Sequence, residues 1–231
     1  MPLMIRDGAK LLFVGDSITD CGRERPVGEA PGLGMGYVTI VNAALAAFHP
    51  ERLIRVVNMG VSGNQARDLA ARWKTDILDL APDWLSVMIG INDVWRRFDR
   101  PARKESHVVL EDYESTLDAL LAAARPGLEG LVVMSPYMIE PRRDDPMRVL
   151  MDEFGAACRR LATRHGAIFV DSQAAFDAYF ARRAAAGPAS TGAASAAAHP
   201  MSMAWDRIHP DATGHMILAR AFLDAVGIRW N

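Results

Sequence analysis

The sequence has little of what several classes of protein require. Its only cysteines, Cys21 and Cys158, have no metal-ligand spacing, so neither a disulfide framework nor a cysteine metal centre is expected. Its 26 basic residues are balanced by 28 acidic ones, giving a net charge of −2. A nucleic-acid binder or a polybasic membrane surface needs a clear excess of Lys and Arg. The charge balance therefore argues against nucleic acid as a partner. No apolar run reaches the ~18–20 residues of a membrane span, so we do not expect a membrane as a partner either.

The first residues also lack the pattern of a secretory signal. MPLMIRDGAK leads directly into the strand-like LLFVGD, without a basic segment, an apolar stretch and a small-residue cleavage site. We interpret the two cysteines as reduced thiols. Together these features predict a cytoplasmic protein.

The composition is that of a folded globular chain. Half of the 231 residues are hydrophobic and 23% are charged, and no linker divides the chain, so we expect one domain over residues 1–231. Residues 181–199 depart from this composition, reading ARRAAAGPASTGAASAAAH with ten alanines. We interpret residues 181–200 as a flexible surface loop, because they bury too little apolar area to offset their ordering entropy. A lid or a subunit contact is the alternative.

Five short apolar runs alternate with longer amphipathic stretches. The runs are rich in Val, Ile, Leu and Phe without strict alternation, as in strands that are buried on both faces. They cover residues 10–16, 54–58, 84–90, 131–135 and 167–171. The helical stretches cover residues 36–48, 66–80, 110–124, 146–165, 173–183 and 210–226. The alternation predicts a three-layer α/β/α fold with a five-stranded parallel sheet, in the flavodoxin-like order 2-1-3-4-5.

Polar residues follow the first three runs, where the carboxyl ends of parallel strands meet. After the first, GDSITD places Ser17 at a tight turn into a helix, as an exposed nucleophile or as a helix cap. After the second, NMGVSGN either brings backbone N–H groups close to a ligand or forms an ordinary turn. After the third, GIND contains Asn92, whose amide would donate to a developing oxyanion or cap the next helix.

A fourth segment, DRIHP, precedes the last helical stretch. It places Asp206 and His209 three positions apart, with Pro210 suited to the first helical position. The aspartate would accept the Nδ1 proton of the histidine, leaving Nε2 free to take a proton from serine. A surface pair is the alternative, because this spacing is common by chance. Together the four loops supply a nucleophile, a base, an orienting acid and oxyanion donors, which favours nucleophilic catalysis.

Other catalytic arrangements are not found in the sequence. Ser62 follows Gly60 but is not part of a G-x-S-x-G motif, so the usual α/β-hydrolase elbow is not indicated. No H-E-x-x-H, C-x-x-C, dense carboxylate cluster or G-x-x-x-x-G-K-[ST] occurs. We therefore expect no metal and no cofactor.

GDSITD, GVSGN, GIND and DRIHP, in this order, resemble the four sequence blocks of the SGNH (GDSL-type) hydrolases, and the resemblance covers most of the chain. It implies that Ser17 is the nucleophile and that Asp206 and His209 complete the catalytic set. It also implies an oxyanion hole made by the backbone N–H groups of Ser17 and Gly63 and the side chain of Asn92.

Longer segments carry a narrower resemblance. They read LLFVGDSITDCGRERP, IRVVNMGVSGN, MIGINDVWR, DPMR and AWDRIHPDATGHMILARAFL. They are similar to the intracellular acetylxylan esterases of this family. That resemblance implies a serine esterase that deacetylates xylo-oligosaccharides through an acyl-enzyme, takes a small acetylated carbohydrate as substrate and forms a homo-oligomer. Residues 181–199 depart from the family pattern, because this alanine-rich segment is longer and has fewer large or polar side chains than the resemblance predicts.

Other functions remain open from the sequence. The same catalytic set would serve a thioesterase or lysophospholipase, although no broad apolar surface suited to a lipase is indicated. A non-catalytic carbohydrate-binding protein and a flavodoxin-like nucleotide-binding switch are further alternatives. Trp95 and Trp205 flank two of the loops, where they would carry a sugar ring, or else pack under a helix and line a subunit contact respectively.

Overall fold

Five parallel strands form one sheet in the order β2-β1-β3-β4-β5, which confirms the predicted fold class and strand order. The computed structural model describes residues 2–185, 204, 206–228 and 230. The strands are β1 Lys10–Gly15, β2 Arg55–Asn58, β3 Trp84–Met88, β4 Gly130–Met134 and β5 Ile168–Val170. The central strands are buried along almost their whole length, because helices cover both faces of the sheet. This burial explains why the strands appear in the sequence as continuous apolar runs.

Eight α-helices accompany the sheet in the described residues. They are α1 Ser17–Asp20, α2 Tyr37–Phe48, α3 Ala66–Ala71, α4 Ile91–Asp99, α5 Leu110–Ala124, α6 Pro146–Arg164, α7 Ser172–Ala185 and α8 Ala212–Ala225. Helix α8 packs against α2 and α7, whereas α5 packs against α3 and α6, and α6 against α4. Within the part of the chain covered by the structure, no helix is both long and apolar enough to cross a bilayer.

The structure corrects two of the predicted helices and adds a third that was not among them. The stretch 66–80 is not one α-helix: α3 ends at Ala71 and a π-helical turn follows over Lys74–Leu78. Helix α4 is not among the predicted helical stretches, although Asn92 was considered as the cap of a following helix, because its buried first turn includes the polar residues Asn92 and Asp93, which break the apolar pattern. Pro210 does not begin the last helix, because the side chain of Asp211 caps it by accepting two backbone N–H groups.

The predicted flexible loop 181–200 is only partly covered by the structure. Residues 181–185 form the end of α7, and residues 186–200 lie outside the described residues, as does Trp205.

The loops that follow β1, β2 and β3 lie side by side at the carboxyl edge of the sheet. The backbone N–H of Val61 donates to the carbonyl of Gly15 at 3.0 Å, which joins the first two loops. The side chain of Asn92 donates to the carbonyl of Asn64 at 3.0 Å, which joins the second and third. The residues singled out from three separate motifs are thus neighbours.

Candidate active site

Ser17 and His209 are 192 positions apart in the chain, yet the Ser17 hydroxyl lies 2.8 Å from Nε2 of His209. On the other side of the imidazole, Nδ1 lies 2.6 Å from Oδ2 of Asp206. Because Nδ1 donates its proton to the carboxylate, Nε2 is left to accept the proton of the hydroxyl. The three side chains therefore form a connected hydrogen-bonded series in the order that nucleophilic catalysis requires.

Asp206 is held in a single orientation by the turn in which it lies. Its Oδ1 accepts the backbone N–H groups of Ile208 at 2.9 Å and of His209 at 2.8 Å, while Oδ2 faces the ring. Burial raises the pKa of this carboxyl. The hydrogen bonds from the His209 side chain and the two backbone groups together lower the pKa by more than burial raises it, so the pKa lies below its ordinary value. The side chain is 6% exposed and carries a negative charge beside the imidazole.

Ser17 is the first residue of the short helix α1, and Asp16 is the residue that caps it. The Asp16 side chain accepts the backbone N–H of Ile18 at 3.0 Å. The capping role considered for Ser17 thus falls to its neighbour, and the serine hydroxyl is free for the contact with His209.

The loop after β2 is anchored to helix α1. Asp20, at the end of that helix, accepts the backbone N–H of Ser62 at 3.0 Å and its hydroxyl at 2.7 Å. Gly63 follows with a φ of +84° and no neighbouring atom within 4 Å of the position that a Cβ would take. This glycine faces open space on a loop whose position is tied to the serine turn.

Asn92 lies in the buried first turn of α4, and Gly90 occupies the cap position that Asn92 was considered for. Its Nδ2 donates to the carbonyl of Asn64 at 3.0 Å, and its Oδ1 accepts from Arg96 at 3.0 Å. The amide nitrogen therefore faces the loop that contains Gly63. One of its two N–H groups has no acceptor in the hydrogen bonds of the described residues and is free to donate to an oxyanion.

Two buried carboxyl groups lie beneath these loops. Burial raises the pKa of Asp16 to about 7, and Asp93 contributes by repulsion. Burial also raises the pKa of Asp93 to about 7, although its carboxylate accepts the backbone N–H of Ala66. Within the described residues, Oδ2 of Asp16 has no hydrogen-bond partner. Burial therefore favours the neutral form of both groups relative to an exposed aspartate.

Sequence reasoning did not identify Arg72, which holds the first two loops together. Its guanidinium donates to the Met59 carbonyl at 2.7 Å, the Gly15 carbonyl at 3.1 Å and the Asn64 side chain at 2.7 Å. No sequence signal points to this role, because two of the acceptors are backbone carbonyls that only the fold brings within reach. Arginine suits the position because it has five N–H donors.

Arg207 was also missed, and it holds the turn that contains Asp206 and His209. Its φ is +65°, in the left-handed region that favours glycine. Its guanidinium donates to Glu140 and Asp145, each at 3.0 Å, and both carboxylates are buried. The strained backbone is thus stabilised by ion pairs to residues from the segment after β4.

Trp95 lies beside the imidazole of His209, not merely beneath a helix. The two rings meet edge to face with their centroids 5.7 Å apart. The indole is half-buried, which suits a residue at the rim of a site. Among the residues that the structure describes, no group of three or more His, Cys, Asp or Glu side chains is arranged to hold a metal ion.

Comparisons with known proteins show the family to which the chain belongs. A model of the GDSL-like Lipase/Acylhydrolase family matches residues 13–217. An acetylxylan esterase of Geobacillus stearothermophilus is 48% identical over 230 residues, covering 99% of this chain and 98% of that protein.

Solved structures extend the comparison. The crystal structure of that esterase, Axe2, matches with a TM-score of 0.90 and 48% identity over 98% of both chains. Catalytic mutants of Axe2, with a serine, a histidine or an aspartate replaced by alanine, have also been solved. LAE5, an alpha/beta hydrolase enzyme from the metagenome of Lake Arreo in Spain, matches with a TM-score of 0.88 and 47% identity over 97% of this chain and 98% of its own.

Proposed function

Since the chain belongs to the GDSL-like lipase/acylhydrolase family, we propose that it is a serine esterase of the acetylxylan esterase type, which removes acetyl groups from xylo-oligosaccharides. The observation that carries the proposal is the hydrogen-bonded series from Ser17 through His209 to Asp206. An identity of 48% along almost the whole chain supports the choice of an acetylated carbohydrate as substrate.

In the first half of the reaction, the Ser17 oxygen attacks the ester carbonyl while Nε2 of His209 takes the hydroxyl proton. Asp206 stabilises the imidazolium that forms. The carbonyl oxygen becomes an oxyanion, which accepts hydrogen bonds from the backbone N–H groups of Ser17 and Gly63 and from Nδ2 of Asn92. The carbon–oxygen bond to the sugar then breaks, and the sugar oxygen leaves with the proton held by His209. The product of this half is an acetyl-serine ester.

In the second half, water repeats the same path. His209 takes one proton from the water molecule as its oxygen attacks the acetyl carbonyl, and the oxyanion occupies the same donors. The bond to Ser17 breaks, the serine oxygen takes the proton held by His209, and acetic acid leaves and ionises to acetate. The chemistry uses protein groups and water alone, so we expect the rate to survive dialysis against EDTA.

The direct test replaces the nucleophile and the base. Ser17→Ala and His209→Ala should each lower kcat by ~10⁴–10⁶, because the members of a triad act as one unit. The matched control is Ser115→Ala, since Ser115 is an exposed serine on α5. The assay measures acetate release from acetylated xylo-oligosaccharides, with p-nitrophenyl acetate as a second substrate. A Ser17→Ala protein with a near-normal rate would end the proposal.

Acyl-chain length separates the esterase from its nearest rivals. We expect activity on p-nitrophenyl esters to fall from acetyl to octanoyl, since the family resemblance and the identity to an acetylxylan esterase favour a small acyl group. Activity that rises with chain length would favour a thioesterase or lysophospholipase instead.

We further propose that the protein acts in the cytoplasm as a homo-oligomer with a single domain over residues 1–231. Met35 is 84% exposed and Leu53 is 80% exposed, and a contact between copies that covered either side chain would remove apolar area from water. Light scattering of the purified protein tests the assembly, and esterase activity in fractionated cells tests the location.

A further inference from the structure

Arg96 contacts the amide of Asn92 from the side opposite the second loop. It lies one helical turn after Asn92 on α4, and its guanidinium donates to Oδ1 of that residue at 3.0 Å. The same guanidinium forms an ion pair with Asp99 and lies over the ring of Trp95, with its Cζ 4.8 Å from the ring centroid. Its side chain is only 15% exposed. The cation is therefore fixed in place by three neighbours.

These contacts leave the Asn92 amide one favourable orientation. Its oxygen faces the Arg96 cation, and its nitrogen faces the carbonyl of Asn64. Turning the amide by 180° would set N–H against a guanidinium and C=O against a carbonyl. Both contacts would be repulsive, so the nitrogen is kept on the side of the loop that contains Gly63.

The cation also changes the strength of the donor. A positive charge at Oδ1 draws electron density through the conjugated amide and makes the Nδ2 hydrogens more positive. Hydrogen bonds linked in series strengthen one another in this way, most of all where water is excluded. Asn92 is 1% exposed, which meets that condition.

We propose that Arg96 is a positioning residue of the oxyanion hole, which orients and polarises the Asn92 amide without touching the substrate. This inference rests on the proposed function, in which Asn92 is an oxyanion donor. Arginine suits the role because its planar fork reaches Asn92 and Asp99 together, whereas a lysine offers a single charged point.

A double-mutant cycle with Arg96→Met and Asn92→Ala tests the inference. With p-nitrophenyl acetate, Asn92→Ala should lower kcat by ~10²–10³, and Arg96→Met by about tenfold, a part of what the whole donor contributes. KM should change by less than about twofold, because a developing oxyanion is a feature of the transition state. The double variant should be no slower than Asn92→Ala alone, because Arg96 acts through that amide.

Two further variants complete the design. Arg96→Lys should recover part of the rate by restoring a charge near Oδ1. The matched control is Arg100→Met, which removes the same charge from a half-exposed side chain just beyond α4 and should leave kcat within about twofold. Melting temperatures of all variants identify any loss of fold.

The outcomes of these experiments distinguish the role of Arg96 from the proposed esterase function. A double variant that is a further tenfold slower than Asn92→Ala, or an Arg96→Met protein with a normal rate, overturns the role of Arg96 and leaves the esterase untouched. A near-normal rate in Ser17→Ala would instead remove the proposed function itself.

Discussion

Replacing Asp16 with asparagine should change how the stability of the protein depends on pH. This carboxyl is fully buried, and its Oδ2 has no hydrogen-bond partner within the described residues. Asparagine has nearly the same shape as the protonated carboxyl, and its side-chain oxygen would still accept the backbone N–H of Ile18. The main change is therefore that a group able to ionise becomes one that cannot.

The size of the effect follows from the pKa. Burial raises the pKa of Asp16 from 3.8 to about 7. At ~1.4 kcal/mol for each tenfold change in proton affinity, the folded state loses up to ~4 kcal/mol when the group ionises. Repulsion from Asp93 is part of this value, so the two carboxyls titrate as a linked pair.

The sign is set by which state releases its proton first. Below the unfolded pKa of 3.8, both states are protonated and the fold has its full stability with respect to this group. Between there and about pH 7, the unfolded chain ionises while the folded state holds its proton, so the free energy of unfolding falls as the pH rises. Above the folded pKa the loss is complete.

Urea unfolding followed by tryptophan fluorescence measures this difference. The free energy of unfolding of Asp16→Asn, relative to the unmodified protein, should rise by ~3 kcal/mol between about pH 5 and about pH 8. Asp112→Asn is the control, because Asp112 is exposed on α5 and its difference from the unmodified protein should stay flat. Parallel stability curves for Asp16→Asn and the unmodified protein would refute the reasoning.

Three other predictions follow from particular contacts. Arg207→Gly should be more stable than Arg207→Ala by ~1 kcal/mol in thermal melts, because the φ of +65° strains alanine while both variants lose the same ion pairs. In the same urea assay, Gly60→Ala should lower the free energy of unfolding by ~3 kcal/mol or more, because the new Cβ would lie 2.2 Å from the backbone nitrogen of Asp20. Gly63→Ala has open space around the new Cβ and should lower the free energy of unfolding by only ~1 kcal/mol, the cost of placing alanine at a positive φ. Arg72→Met should lower kcat by ~10–10² with a smaller change in KM, because the loops that contain the proposed nucleophile Ser17 and the proposed oxyanion donor Gly63 lose their shared anchor.

Each of these predictions has an outcome that contradicts it. If Arg207→Ala is at least as stable as Arg207→Gly, backbone strain at this position does not affect stability and the prediction is wrong. Equal unfolding free energies for Gly60→Ala and Gly63→Ala would show that the close approach to Asp20 is not rigid. Arg67→Met, at an exposed arginine on α3, is the control for Arg72→Met, and equal kcat values for the two would refute the anchoring role.

The sequence alone was sufficient to predict the parallel sheet and to identify the loops that contain the candidate site. Strands that are buried on both faces have unbroken apolar runs in their sequence, and the helical stretches between these runs indicate that the strands are parallel. Because the carboxyl ends of such strands share one edge, the positions of Ser17 and Asn92 just after two of the runs are enough to predict that they lie near each other. Helix α4 and the break after α3 escaped this reasoning, because buried polar residues and a π-helical turn disturb the periodicity on which it depends.

Only the tertiary structure decided how the site is held. Arg72, Arg96 and Arg207 bind carbonyls, an amide and carboxylates, most of them from other segments, and no local pattern records which acceptors will be within reach. The raised pKa of Asp16 likewise arises from its burial in the folded chain and from repulsion by Asp93, which is remote in sequence. Residue type and spacing therefore determined which groups are present, whereas their orientation and charge depend on packing between segments that are remote in sequence.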